Sequence, residues 1–380
     1  MGAMGGVTAE QLVDDLDRLL HRSHDVREFS RGAARALARA VPFDGSCVVT
    51  IDPATSLPTG EFIENGLPEQ ASARMAENEI QGHDFNRFTT LGRSDEHAAG
   101  LSVATGGDLN LSERHRELKQ PHGFGDELRV ALVTDSAMWG GMTLLRAADR
   151  EPFTPTDAAL VSSVSRYLAE GLRRAMLHAA LLGVSHEHEE SVGLLLMASD
   201  NSIIHADDAA ERWLTELRES EPDTHVPAVV RAVAALARII VGGQHPSSTV
   251  MARARVSTTS GTLLLVRGST LGDGDDAQTA VIIEPARPHD LAPLIADAFA
   301  LTERERAVTQ LVAQGLSTNA IGARLHISPW TVQDHLKSIF EKVDVDTRGE
   351  LVSRVFFKHY VPRLVDGSTV GSDGFFRPPS

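Results

Sequence analysis

A single cysteine, Cys47, in 380 residues excludes an internal disulfide and fits a reducing cytoplasm. No apolar run approaches the roughly eighteen residues that a membrane span needs. No basic segment followed by an apolar one opens the chain, so neither a membrane anchor nor a secretory leader is expected. Basic charge is in deficit: 36 Lys and Arg against 52 Asp and Glu leave a net charge of -16. Such a surface repels phosphate, which confines any nucleic-acid contact to a local patch. Catalytic strings are missing as well. The chain has no Gly-x-x-x-x-Gly-Lys-Ser/Thr for nucleotide phosphates, no Gly-x-Ser-x-Gly nucleophile turn and no His-Glu-x-x-His metal helix. One thiol cannot form the intramolecular disulfide of a dithiol reductase, and no N-terminal strand ends in the paired acids of a phosphoacceptor domain. Neither an enzyme nor a resident cofactor is expected.

What is present is ordinary soluble-protein composition, 42% hydrophobic and 23% charged, in a length that accommodates about two or three domains. The most specific stretch is 301–357, which spells out four short, individually capped helices. Thr302-Glu303-Arg304-Glu305 is a capping box, with Leu301 ahead of it as the apolar staple. Gly315 suits the left-handed residue that ends a helix, and Leu316 supplies the accompanying apolar contact. Ser317 caps a second helix, through Leu325. A turn around His326 and Ile327 then leads to Ser328-Pro329, an N-cap followed by proline at the first helical position. Two helices joined so tightly form a helix-turn-helix.

In the third helix Val332, Leu336, Ile339 and Val343 fall on one buried stripe. Trp330, Thr331, Gln333, Asp334, Lys337, Ser338 and Glu341 lie off it, and the N-terminal members of that set are the ones a recognition helix points at base edges. Gln333 can read adenine through its two-pronged amide, Asp334 can accept from a cytosine amine, and Lys337 can donate to guanine or phosphate. Thr331 and Ser338 suit phosphate, which fixes register without reading sequence. His335, beside the buried stripe, is expected to be a partly covered side chain and not a proton switch.

These features resemble the C-terminal DNA-binding domain of LuxR-type bacterial transcription regulators. The resemblance covers 299–360 and rests on Leu301 to Glu305, the Gly315-Leu316-Ser317 turn, Ile321-Gly322-Ala323, Ser328 to Val332, His335, Ile339, Lys342, Arg348 and Glu350-Leu351. It implies an all-α, four-helix domain whose fourth helix serves the dimer contact, placing that surface at 347–357. The expected DNA-binding set is Thr318, Asn319, Ser328, Trp330, Thr331, Gln333, Asp334, Lys337, Ser338, Lys342 and Arg348. Three positions depart from the family pattern. Ala320 removes the acidic half of the second capping box, Asp344 stands where glycine commonly ends the recognition helix, and Asp346 stands where a basic residue is common. From Ala300 to Tyr360 there are eight Lys and Arg and seven Asp and Glu, so phosphate affinity should be modest and dimerisation, which doubles the contacts, close to a requirement.

The N-terminal segment 8–184 reads as mixed α/β. Helical patterns at 9–20 and 26–40 precede a strand at 46–51, a helical middle section runs to Leu118, and 126–134 with 137–146 form a hairpin about Asp135-Ser136. Thr154 and Asp157 cap a long helix whose Leu160, Val164, Leu168, Leu172, Ala175, Ala179 and Leu182 make one stripe. Short runs resemble the GAF-like sensor domains found ahead of LuxR-type domains in actinobacterial regulators: Phe43 to Ser46, Asp52 to Thr55, Leu57-Pro58-Thr59, Glu64 to Pro68 and Gly123 to Arg129. That resemblance implies a small antiparallel sheet flanked by helices, with a ligand pocket between sheet and loops. Phe62, His122 and Trp139 are the candidate lining residues, and aromatic residues of this kind serve the core more often than a ligand.

Segment 191–285 gives strands at 192–198, 202–205, 248–258, 262–268 and 279–284, with helices at 207–217 and 226–241. The order resembles a PAS domain. A polar joint at 185–190, a proline-rich linker at 286–298 and a disordered tail at 365–380 complete the layout. His186 and His188 read as solvated linker residues and not a metal site, since residues two apart diverge on a helix. No internal repeat is evident.

The expectation is a multidomain chain: an α+β GAF-like sensor, an α+β PAS-like domain and a C-terminal all-α helix-turn-helix. Its expected work is sequence-specific transcription regulation in the cytoplasm, as a homodimer on double-stranded DNA, modulated by a small-molecule effector and with RNA polymerase as a candidate partner. The rival is a constitutive regulator whose N-terminal domains serve only dimerisation or contact with a partner protein.

Overall fold

The computed structural model describes residues 9–23, 25–182, 191–222, 224–242, 251–272, 277–286, 299, 301–343, 345–351, 369–370 and 376–377. The chain divides into two units, one carrying both large sheets and the other the C-terminal helices.

In the first unit, the Asp25 carboxylate accepts from the Glu28 N–H at 2.8 Å, which starts α2 (Val26–Ala40) soon after the end of α1 (Ala9–Arg22). Leu12 and Leu16 of α1 and Phe29, Ala33 and Leu37 of α2 share one core, as their helical spacing requires. Strands β1 (Gly45–Ile51), β2 (Pro58–Glu64), β3 (Ala98–Gly100), β4 (Phe124–Thr134) and β5 (Ala137–Ala147) form an antiparallel sheet in the order β2-β1-β5-β4-β3. Asp135 and Ser136 join β4 to β5 with φ of 51° and 63°, the left-handed pair that a two-residue hairpin needs. The sequence reading had no strand at Pro58–Glu64. β2 opens on proline and lies at the sheet edge, where a residue without an N–H is tolerated. The stretch read as wholly helical contains α3 (Glu69–Gln81) and the single turns α4 (Phe88–Leu91) and α5 (Leu101–Ala104), with the short β3 between them.

Thr154 and Asp157 make the expected capping box, but the helix that they open is not one rod. Helix α6 (Pro155–Ser163) ends at Val164, with φ -102° and ψ 0°, and α7 (Ser165–Leu182) begins anew. The Ser165 hydroxyl donates to the Ala131 carbonyl at 2.6 Å and accepts from the Val133 N–H at 3.3 Å, pinning the corner to β4. The stripe keeps its register across the break, with Val164, Leu168, Leu172 and Ala175 all buried; the side chains of Ala179 and Leu182 lie outside the described set.

Beyond the joint, β6 (Gly193–Met197), β7 (Ile203–Ala206), β8 (Arg253–Ser257), β9 (Leu263–Leu271) and β10 (Gln278–Pro285) form a second antiparallel sheet, ordered β7-β6-β10-β9-β8. Helices α8 (Asp208–Ser220) and α9 (Ala228–Val241) cover it. Numbered within each half, both sheets read 2-1-5-4-3, a repeat of topology that the sequence does not display. The second core also takes in Leu57 and Ile80 from the first half. Arg255 donates to Asp52 through its backbone N–H at 3.0 Å, Nε at 3.1 Å and Nη2 at 2.6 Å. Arg231 and Arg238 of α9 pair with Glu61 of β2 and Glu77 of α3 at 2.7 and 2.8 Å. The two sheets thus form one unit.

In the second unit, α10 (Glu303–Ala313), α11 (Thr318–Leu325) and α12 (Pro329–Val343) pack together, and Thr347 opens a further helix. Thr369–Val370 pairs with Phe376–Arg377 in a two-stranded ladder within the segment read as tail. The joint at 185–190, most of the linker at 286–298, Asp344 and the greater part of the fourth helix lie outside the described residues.

Candidate nucleic-acid interface

Each turn of the C-terminal unit is set by local chemistry. Thr302 N–H donates to Glu305 Oε2 at 2.7 Å and Glu305 N–H to Thr302 Oγ1 at 3.3 Å, the reciprocal box read from the sequence. Gly315 takes φ 78°, and Leu316 N–H reaches back to the Leu311 carbonyl at 3.1 Å. Ser317 caps α11 through the Ala320 N–H at 3.3 Å, half a box, as Ala320 implied. The helix-turn-helix corner is His326, a non-glycine in the left-handed region at φ 55° and ψ 44°; Ile327 N–H closes the turn on the Gly322 carbonyl at 3.0 Å. Gly322 is needed there, because a Cβ would come within 2.8 Å of the Ile327 carbonyl oxygen.

Ser328 then caps α12 by accepting from the Thr331 N–H at 3.0 Å. Val332, Leu336, Ile339 and Val343 are buried, the four residues of the expected stripe. Opposite them Trp330, Gln333, Asp334 and Lys337 are exposed, at i, i+3, i+4 and i+7 along one helix face.

Three expected DNA-contacting residues have internal work. Ser338 Oγ donates to Glu305 Oε1 and Lys342 Nζ to Glu305 Oε2, both at 2.7 Å. Burial alone would push the Glu305 carboxyl up, but Lys342, Ser338 and Thr302 outweigh it and hold it at about 2. Arg348 donates to the Leu316 carbonyl and, at 3.5 Å, to Thr318 Oγ1, tying the fourth helix to the turn before α11. Ser338 and Lys342 therefore join α12 to α10, and Arg348 joins the fourth helix to α11. Asn319 is exposed and Thr318 half-buried in the first turn of α11, where backbone N–H groups suit phosphate. Ser328 and Thr331 share a hydroxyl contact at 2.8 Å at the start of α12. His335 is half-buried.

The three proposed effector residues do not converge. Trp139 is fully buried, His122 is exposed with Nδ1 against the Leu118 carbonyl at 2.8 Å, and Phe62 lines a cleft of about 270 Å³ together with Arg27, Arg31 and Glu221. A separate cavity of about 70 Å³ lies on the first sheet, lined by Val49, Ile63, Met75 and Met138 together with Arg129, Lys119 and Arg231 of α9. Sequence reasoning missed the charges behind it. Arg114 donates to Glu127 and, through its backbone, to Asp84 at 2.7 Å. Lys119 pairs with Glu127, and Arg129 with Glu79 at 2.9 Å. Burial, reinforced by the neighbouring Arg114, lowers Arg129 to about 10, and burial holds the Lys119 ammonium well below its usual range. The Arg129 guanidinium also lies 3.7 Å above the Phe88 ring. Among the described residues no group of His, Cys, Asp and Glu is placed to hold a metal, and no helix is long and apolar enough to cross a membrane. His186 and His188 lie outside that set.

With this geometry in view, residues 300–355 match the family model for bacterial regulatory proteins of the luxR family. The C-terminal unit is a LuxR-type helix-turn-helix domain. The chain is 43% identical over 61 residues to a putative HTH-type transcriptional regulator of Aeromonas salmonicida, a match covering 16% of this chain and 31% of that protein. It is 37% identical over 67 residues to the transcriptional regulatory protein DesR of Bacillus subtilis, covering 18% of this chain and 34% of the relative. The chain thus spans about a third of the length of these relatives. A solved GAF domain from a Coxiella burnetii phosphotransferase overlays 47% of this chain and 99% of its own at 13% identity, with a TM-score of 0.34. An overlay that loose adds nothing to the strand order already described.

Proposed function

We propose that this chain is a sequence-specific, DNA-binding transcription regulator, in which α12 enters the major groove and the two-sheet unit adjusts the presentation of that helix in response to a small molecule. The observation that carries the reading is the outward stripe of Trp330, Gln333, Asp334 and Lys337 opposite a fully buried stripe on the same helix. Amide, carboxylate and ammonium groups at that spacing meet consecutive base edges. The first turn of α11, at Thr318 and Asn319, and the hydroxyls of Ser328 and Thr331 supply phosphate contacts that set register. The weak net charge of the domain supports a homodimer, since two copies double the number of contacts, and the single cysteine fits the cytoplasm. RNA polymerase is the natural protein partner of such an output.

The sensing role rests on the 70 Å³ cavity, whose lining combines Val49, Ile63, Met75 and Met138 with the charged groups of Arg129 and Lys119; a concave site of mixed apolar and polar lining suits a small molecule, and at this volume only a very small one. Its occupant alters DNA binding only to the extent that it prefers one arrangement of the regulator over another. Selection of duplexes from a randomised pool by the full chain, followed by mobility shifts at fixed salt, tests the DNA reading. Enrichment of a shared half-site is expected, and binding indifferent to sequence would reject it. A melting shift produced by a small molecule, lost in a variant with the cavity filled, tests the sensing role.

A further inference from the structure

The three tryptophans divide sharply: Trp139 and Trp213 are 0% and 2% exposed, whereas Trp330 is 73% exposed. An indole held in water at the head of a functional helix is apolar area awaiting a cover. Trp330 sits one position after Pro329, where the N-cap and the proline fix the helix start, so its direction is set by the fold. It leads the exposed row that continues through Gln333, Asp334 and Lys337. Whatever surface those three meet, the indole meets too.

Base edges in the major groove present donors and acceptors, and one apolar feature, the C5 methyl of thymine. The electrostatics of this domain make an apolar contact unusually important. From Ala300 to Tyr360 basic residues exceed acidic ones by eight to seven. Lys342 and Arg348 are bonded to Glu305 and Leu316, and Asp334 puts a carboxylate inside the reading row. Little phosphate attraction is left to hold the helix in place. We propose that Trp330 is a specificity-determining residue that packs its indole against the C5 methyl of a thymine at one end of each half-site. This rests on the DNA-binding function proposed above and goes beyond it by assigning a base to an apolar side chain.

The test uses the full chain and the duplex that it selects from a randomised pool. Each thymine is replaced in turn by deoxyuridine, which removes only the methyl group, and affinity is measured at fixed salt for the wild type, Trp330→Ala and Trp330→Leu. One thymine per half-site should weaken wild-type binding by about fourfold when demethylated, the worth of one buried carbon. The same change should have no effect on Trp330→Ala, which itself binds about tenfold or more weakly, and an intermediate effect on Trp330→Leu. Acrylamide quenching gives an independent readout, because the other two indoles are buried: the selected duplex should shield the quenchable tryptophan. The thymine contact is overturned if no demethylation effect depends on residue 330, if Trp330→Ala binds like wild type, or if the duplex leaves the indole open to acrylamide. If those results come while Gln333→Ala and Lys337→Ala still lose affinity, the thymine contact alone falls. If the wild type selects no sequence, the DNA-binding reading falls with it.

Discussion

Lys342 of α12 and Glu305 of α10 form an ion pair of 2.7 Å, with the carboxylate almost fully buried. The pair ties α12 to the first helix of its domain.

Glu305→Gln should destabilise the C-terminal unit by about 1.5–3 kcal/mol near neutral pH, the range for hydrogen bonds to a charged group. The carboxyl is depressed from 4.5 to about 2 in the folded chain, so its contribution is present above about pH 4.5 and is lost as pH falls toward 2. Melting curves of wild type and variant should therefore converge on acidification. A gap that persists at pH 2 would contradict the ionic origin.

Glu221 behaves in the opposite sense. Burial, the largest influence, and the neighbouring Glu61 raise its carboxyl from 4.5 to about 8, against the lowering effects of the Ala228 N–H and Arg231. The folded chain keeps this proton where the unfolded chain has released it, so stability declines from about pH 4.5 to about pH 8 and then levels off. Glu221→Gln, which cannot ionise, should overtake the wild type in melting temperature across that window. Parallel pH profiles of the two proteins would refute the assignment.

Arg255→Met strands the Asp52 carboxylate, 1% exposed, without its guanidinium. Removal of one partner of a buried pair costs about 3–5 kcal/mol, and here the pair joins the two sheets. Denaturant titration should show a lower midpoint, partly restored by adding Asp52→Asn. An unchanged midpoint would mean that the pair contributes nothing to holding the halves together.

Gln333→Ala and Lys337→Ala should each reduce affinity for a selected duplex by about 1–3 kcal/mol, with circular dichroism unchanged because both side chains face solvent. Lys342→Met is the informative contrast: it should lower melting temperature as well as binding. If Lys342→Met weakened DNA binding alone, its positioning role would be refuted.

The helix-turn-helix was legible in the sequence because its signals are local. Thr302 with Glu305, Gly315, Ser317 and Ser328 each act within a few residues of themselves, and the structure uses all of them. The Asp135-Ser136 hairpin was legible for the same reason. Pro58–Glu64 was hidden because edge pairing relaxes the usual penalty on proline. The break at Val164 was hidden because the bonds of Ser165 to β4 depend on chain more than thirty residues away. Nothing local in the sequence marks Arg114, Lys119 and Arg129 as buried, and only the folded chain brings them to Asp84, Glu127 and Glu79. The effector candidates Phe62, His122 and Trp139 were chosen for being aromatic; Phe62 lines the larger cleft, while the smaller cavity draws Phe88, Met75, Met138 and Arg129 from several elements, a convergence that no local pattern displays.

The carboxylate of Asp334, flanked by Gln333 and Lys337, has a kinetic consequence. If α12 enters the groove as proposed, a duplex that offers no amine leaves this carboxylate near phosphate, and residence there should be short. A regulator of the proposed kind should therefore release unrelated sequence quickly, which shortens its search.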